Sequence, residues 1–302
     1  MIISCCWIYA ISKYGYPPSL KNTYRALKDM RDMGFRYMEL EGFKTENTRC
    51  IFDHRFELKK FCDDLDIHLL NFSPILPELL AEDPDIRERG MDDFKRSLEI
   101  AEHIGAQSVQ VDSFTPPLTF KSPKPYTGNT FEYDQVYEVE IDYEFSYPKF
   151  YDHLVEVFKQ CAILAKAAGK KLIVEPRVGE NIYSTDSFLR LYEHVAENNF
   201  GVVLDAAHLN AAKEILPYSV EKLGTRIFSV HAADNDGRSN VHLQVGKGTI
   251  DWDGVLVALK KHGFSGYIAL DVANVPEIDQ AYRNSRDYLQ AAMDRQGIVC
   301  EY

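Results

Sequence analysis

The chain reads as an α/β protein built on one (β/α)8 TIM barrel, for three reasons. Eight short apolar runs alternate with amphipathic segments from end to end, as strand–helix units in a parallel sheet do. No Gly-rich turn follows the first run, as an open, doubly wound nucleotide-binding sheet would require. A length of 302 residues is ordinary for such a barrel as one domain, so residues 1–302 are expected to form a single unit.

The first run starts at Ile2, within Met1-Ile2-Ile3-Ser4-Cys5-Cys6-Trp7. It has no basic flank and soon meets Lys13, so it reads as a strand rather than a signal peptide. Residues 24–33 are helical, because Ala26, Leu27 and Met30 recur at helical spacing. Strands then begin at Tyr37, His68 and Ser108, with helical patterns over 56–64 and 86–104 between and after them. Residues 113–147 break the rhythm. They carry Pro116, Pro117, Pro123 and Pro125, then Tyr126, Phe131, Tyr133, Tyr137, Tyr143, Phe145 and Tyr147. A loop of this length after the fourth strand is expected to be an insertion at the barrel mouth, covering the site, meeting a partner chain or packing on the surface. A helix over 151–168 leads to the fifth strand at Leu172, one over 187–197 to the sixth at Val202, and one over 211–223 to the seventh at Ile227. A functional loop, 232–250, follows that seventh strand; then come a helix over 252–262, the eighth strand at Tyr267 and a helix over 282–293. Gly34, Gly105, Gly169 and Gly263 stand where helices end before strands, positions that favour a left-handed cap.

Bulk properties narrow the function. The net charge of −12 argues against wrapping a nucleic-acid backbone. No run approaches about 18 apolar residues, so no membrane span is expected. Six cysteines without a C-x-x-C pair suggest reduced thiols in a cytoplasmic protein.

The chemistry gathers in the second half. Glu175, Asp205, His231 and Asp271 each follow a short apolar run, at spacings of 30, 26 and 40 residues. Each spacing holds one strand–helix unit. In a closed barrel these four side chains would meet at the carboxyl face, where oxygen and nitrogen ligands hold one divalent cation. Taken singly, each has an ordinary structural explanation: a salt-bridged carboxylate, a barrel-mouth histidine or a helix cap. Their recurrence at one strand-relative position favours the shared site. Asp205 and His208 form D-x-x-H, which can divide metal and substrate duties.

The same region resembles the xylose-isomerase-like barrel superfamily. Gly201-Val202-Val203-Leu204-Asp205-Ala206-Ala207-His208 is similar to its G-x-x-x-D-x-x-H segment. His231-Ala232-Ala233-Asp234-Asn235-Asp236-Gly237, His242-Leu243 and Gly246-Lys247-Gly248-Thr249-Ile250-Asp251-Trp252 resemble its H-x-x-D-N-D-G, H-L and G-x-G-x-I-D-W stretches. With Val174-Glu175-Pro176 and Ala269-Leu270-Asp271, the likeness covers most of residues 170–275, and G-x-G-x-I-D-W is its most specific part. The superfamily includes sugar isomerases, ketose 3-epimerases, inosose dehydratases, large subunits of C-glycoside-cleaving lyases and an apurinic-site endonuclease branch.

The resemblance implies that Glu175, Asp205, His231 and Asp271 hold one divalent ion, manganese (Mn2+) in many relatives, with magnesium, cobalt or zinc as alternatives. It implies that His208 and His242 face substrate. Arg177 is a further candidate substrate contact, and we add Asp234 and Trp7. The last ligand is usually glutamate in relatives, and Asp271 is one methylene shorter. The endonuclease branch needs histidines ending the third and fourth strands, whereas here those strands read Leu70-Asn71-Phe72 and Val109-Gln110-Val111-Asp112. Asn240 also stands where that branch's Asp-x-His has aspartate, so DNA cleavage is not expected.

A divalent ion beside a carbonyl acidifies the neighbouring C–H, and Glu175 or His208 would act as base, with His242 beside the substrate. Return of the proton gives isomerisation or epimerisation of a keto-sugar or related polyol. Loss of a leaving group gives a lyase, either inosose dehydratase-like or a C-glycoside deglycosidase large subunit with a small second subunit. A non-catalytic sugar-binding barrel is the third reading. The expected partners are a small-molecule sugar or glycoside and, in an oligomer, other protein chains.

Overall fold

In the computed structural model, which describes residues 1–125 and 135–302, each of the eight apolar runs forms a strand of one sheet. In chain order the strands are β1 (Ile2–Cys5), β2 (Tyr37–Phe43), β3 (His68–Ile75), β4 (Ser108–Gln110), a short pair β5 (Thr119–Phe120) and β6 (Val139–Glu140), β7 (Lys171–Val174), β8 (Phe200–Asp205), β9 (Ile227–Ala232) and β10 (Tyr267–Leu270). The order β1-β10-β9-β8-β7-β4-β3-β2 closes on itself. Every pair in it is parallel. The strands are apolar on both faces because one face fills the barrel and the other meets helices; β8 is buried at all six positions.

The helices are α1 (Ile8–Tyr14), α2 (Leu20–Asp32), α3 (Lys44–Asp53), α4 (Arg55–Asp64), α5 (Pro84–Ile104), α6 (Tyr147–Ala167), α7 (Thr185–Val195), α8 (Ala206–Ala211), α9 (Leu216–Leu223), α10 (Trp252–Lys261) and α11 (Ile278–Arg295). Their ends follow local chemistry. Asp83 caps α5 through the amides of Asp85 and Ile86, with Pro84 in the first turn, and Gly105 closes it in the left-handed conformation. Ser184 and Ser187 form a reciprocal cap on α7. Among the described residues, no helix is long and apolar enough to cross a membrane.

Sequence reading places all eight barrel strands within two residues of their start. It misses α1, α3 and α8, which are short and lie against strand ends where no long periodic pattern can develop. Of the insertion, Tyr126, Phe131 and Tyr133 lie outside the described residues. The flanking parts carry the antiparallel β5–β6 pair. All six cysteines are free thiols.

The outer layer is pinned by aromatic packing. Phe158 of α6, Phe188 and Tyr192 of α7 and Phe200 of β8 form one cluster, with ring centroids 5.7–6.2 Å apart. Phe188 is fully buried. Phe188→Ala is expected to lower the unfolding free energy by about 3–5 kcal/mol in denaturant titration, because the cavity left between helix and strand cannot collapse.

Candidate metal centre

Parallel strands deliver their carboxyl ends to one rim, and four strand ends there carry ligand-type side chains. Glu175 directly follows β7, Asp205 ends β8, His231 lies in β9 and Asp271 directly follows β10. One ligand atom from each can be chosen so that all four lie within 4.8 Å of one another. All four residues are buried. His231 Nδ1 is 2.7 Å from Glu175 Oε1 and 3.8 Å from Asp205 Oδ2. The Cys6 thiol, just past β1, forms a second such group with His231 and Asp271.

Buried ionisable groups this close cannot all carry their usual charge. Burial opposes a charged His231, but Glu175 and Glu39 outweigh it and hold the imidazole well above its usual range. Burial likewise opposes ionisation of Glu175, yet His231 keeps that carboxyl well below its ordinary value. Asp205 goes the other way: burial, Glu175 and Asp271 together push it well up. Asp271 is held low by His242 against burial, and His242 is pushed up to about 9 by Asp271, again against burial. His242 Nδ1 sits 2.8 Å from Asp271 Oδ2. Burial, Arg177 and His242 drive His208 well down, so its imidazole is neutral.

One oxygen tests whether a cation fits. Asp205 Oδ1 caps α8 by accepting the His208 amide at 2.7 Å. Its Oδ2 is buried and has no hydrogen-bond partner. An orphaned acceptor is costly in a protein interior, and here it faces His231 in a set of three carboxylates and one imidazole. That donor set suits a divalent ion, and the residues fit one.

Beside the cluster lies a cavity of about 510 Å³. Glu175, Arg177, His208, His242 and Asp271 line it, as do Cys6, Tyr16, Glu41, Asp112 and Asn240. Two expected substrate contacts are placed elsewhere. Trp7 is buried in the hydrophobic core and is not among the lining residues. Asp234 is fully buried because its carboxylate organises the loop after β9. It accepts the amides of Asn235, Gly246 and Ile250 and the indole N–H of Trp252, at 2.9–3.2 Å. Gly248 passes so close that any Cβ there would collide with Asp234 Oδ1 and the Asn235 backbone. The G-x-G-x-I-D-W stretch is thus the wrapping of a buried carboxylate.

Sequence reading passed over Glu39, Glu41 and Asp112. Tyr267 donates to Glu39 at 2.7 Å, and His231 Nε2 lies 3.2 Å from the same carboxylate. The missed signal was two-residue alternation: Glu39 and Glu41 stand two apart in β2, as do Gln110 and Asp112 at the end of β4.

The family model for the xylose isomerase-like TIM barrel matches residues 27–292. An uncharacterized protein of Methanocaldococcus jannaschii is 31% identical over 113 residues, 36% of this chain and 38% of the relative. The inosose isomerase of Bacillus licheniformis is 29% identical over 127 residues, 39% of this chain and 45% of the relative. The chain thus matches less than half the length of these curated relatives. Among solved structures, a 3-keto-D-glucoside 4-epimerase from E. coli superposes with a TM-score of 0.73 at 18% identity, over 96% of this chain and 99% of that one. The IOLI protein, solved with a zinc atom, gives 0.69 at 19% identity, over 98% and 99%. At such identities the likeness establishes the fold.

A cation entering this cluster must displace the proton that Glu175 and Glu39 hold on His231. The sign follows: His231 is protonated in the metal-free protein through neutral pH, so metal affinity rises with pH. Calorimetric titration with manganese or zinc is expected to show proton release and affinity rising by up to about tenfold per pH unit between pH 6 and 8. Affinity independent of pH would rule out His231 as a ligand.

Proposed function

The chain belongs to the xylose isomerase-like TIM barrel family, and on that footing we propose that it is a divalent-metal-dependent isomerase or epimerase of keto-sugars or related polyols. The carrying observation is the cluster of Glu175, Asp205, His231 and Asp271 at the edge of a cavity that His208 and His242 also line. Relatives bearing the names inosose isomerase and 3-keto-D-glucoside 4-epimerase favour this reading, and the zinc atom of the IOLI protein favours a metal. We assign the metal to those four side chains, and one domain to residues 1–302 with 113–147 inserted at the mouth. The base of the insertion is tied to the loop after β7, where Asn181 Nδ2 donates to the carbonyls of Ser113 and Phe114.

When bound, a divalent cation would polarise the substrate carbonyl and acidify the adjacent C–H. The side chains then divide the proton work. Glu175 stays ionised and lines the cavity, so its carboxylate takes the proton from carbon. Asn240 Nδ2 lies 3.5 Å from His208 Nδ1. With Nδ1 accepting, the neutral ring carries its hydrogen on Nε2 and donates to a substrate oxygen. His242, pushed up to about 9 by Asp271 in the metal-free protein, offers a second donor. Arg177 reaches Glu175, Glu180 and Asp112 and keeps that wall in place. Protonation of the carbon again completes isomerisation or epimerisation.

Purified protein with manganese and neutral ketoses in deuterium oxide is expected to take solvent deuterium into the carbon beside the carbonyl, read by NMR. Glu175→Gln should slow this by about 10²–10⁴-fold. Undiminished exchange in that variant would remove Glu175 from the role of base.

One observation favours a second reading, a lyase using the same proton abstraction with a small second subunit. Val136, Ile141 and Tyr143 of the insertion are exposed, and Tyr143 is fully so. Under this reading a small protein copurifies with the tagged chain and an aglycone is released from a 3-keto-C-glycoside. A chain that catalyses exchange and epimerisation alone would count against it.

A further inference from the structure

The wall of the cavity beside the four-ligand cluster carries further carboxylates. Glu41 lies in β2 and Asp112 just past β4, and both line the cavity. Asp112 is only 2% exposed. Glu41 Oε1 and Asp112 Oδ1 are buried and lack a hydrogen-bond partner. The neighbouring guanidinium does not relieve them. Arg177 Nη1 is already 2.9 Å from Asp112 Oδ2 and 3.4 Å from Glu180 Oε1, and its Nε is 3.9 Å from Glu175 Oε2. One cation thus serves three carboxyl groups.

Buried acceptors without donors are costly, so whatever fills the cavity should supply them. A sugar hydroxyl both donates and accepts. An ionised phosphate or carboxylate only accepts, and it would meet like charge in a low-dielectric wall. We propose that Glu41 and Asp112 receive the outlying hydroxyls of the substrate, so that the site takes neutral polyhydroxylated ketones and rejects phosphate esters and uronates. This rests on reading the cavity as a keto-sugar site. Burial raises Glu41 to about 8 against the pull of the Tyr16 hydroxyl, and raises Asp112 against the pull of Arg177, so the discrimination against anions strengthens as pH rises and the two carboxyls ionise.

The test is calorimetric binding, with manganese present, of a neutral ketohexose, its 6-phosphate and the corresponding keto-uronate. The neutral sugar is expected to bind at least about tenfold tighter than either anion. Glu41→Gln and Asp112→Asn are each expected to weaken the neutral sugar by about tenfold and to narrow that preference. Should Asp112→Asn fail to fold, Glu41→Gln, which is less buried, carries the test. Tighter binding of the phosphate ester, unchanged affinity in the folded variants, or no neutral sugar bound at about 10 mM would overturn the proposal. Deuterium exchange run on the same three compounds separates the two readings. A neutral preference without exchange on any of them sinks the isomerase and leaves this wall's role standing. Exchange on the phosphate ester alone does the reverse.

Discussion

The imidazole of His231 spans the barrel between two carboxylates, Glu39 through Nε2 at 3.2 Å and Glu175 through Nδ1 at 2.7 Å. Burying carboxylates away from water is expensive unless each finds a partner. His231 supplies that partner twice, and the Tyr267 hydroxyl supports Glu39 from below. The remaining negative charge is handled differently on each side. Asp271 takes His242, while Asp205 lies 3.8 Å from a His231 nitrogen already held by Glu175, and its carboxyl is pushed up toward the neutral form. A divalent cation at this point would offset the charges together and reverse the local pressure on His231 and Asp205, the two groups pushed up without it.

Around this centre the loops are built to hold side chains still. The stretch after β9 folds around Asp234, which draws three amides and the Trp252 indole onto one carboxylate. Asp251 then caps α10 through the Gly254 amide. The loop that carries Asn240 and His242 is thus anchored at its root. Asp205 joins two tasks in the same way, ending β8 and capping α8. That cap fixes where His208 stands, because the amide it accepts belongs to His208 itself. The D-x-x-H pattern is local geometry before it is chemistry.

Strand starts were legible because each barrel strand is a short apolar run bounded by polar residues, and parallel strands need apolar faces on both sides. The four ligand-type residues were legible for a related reason: a charged or imidazole side chain directly after such a run is unusual, and it recurs four times. The helices α1, α3 and α8 were not legible: α1 and α8 have about two turns and carry no measurable period, and α3 buries only Thr48 and Ile51, so it shows no apolar stripe. Asp234 was read as a substrate contact because an acidic residue in a functional loop looks the same on paper whether it points out or in. Only the folded loop brings four donors onto it.

The sequence alone determined the barrel, the order of its units and the residues that end its strands, because hydrophobic periodicity and chain length leave few other closed arrangements. Tertiary structure decided which of those residues share a space. Glu39 meets His231 across 192 positions and Arg177 meets Asp112 across 65. Such pairings arise from barrel closure and shear, which set the height of each side chain in the interior and which no local pattern encodes. Charge state was decided there too, since burial and neighbours act through distances that exist only once the barrel has closed.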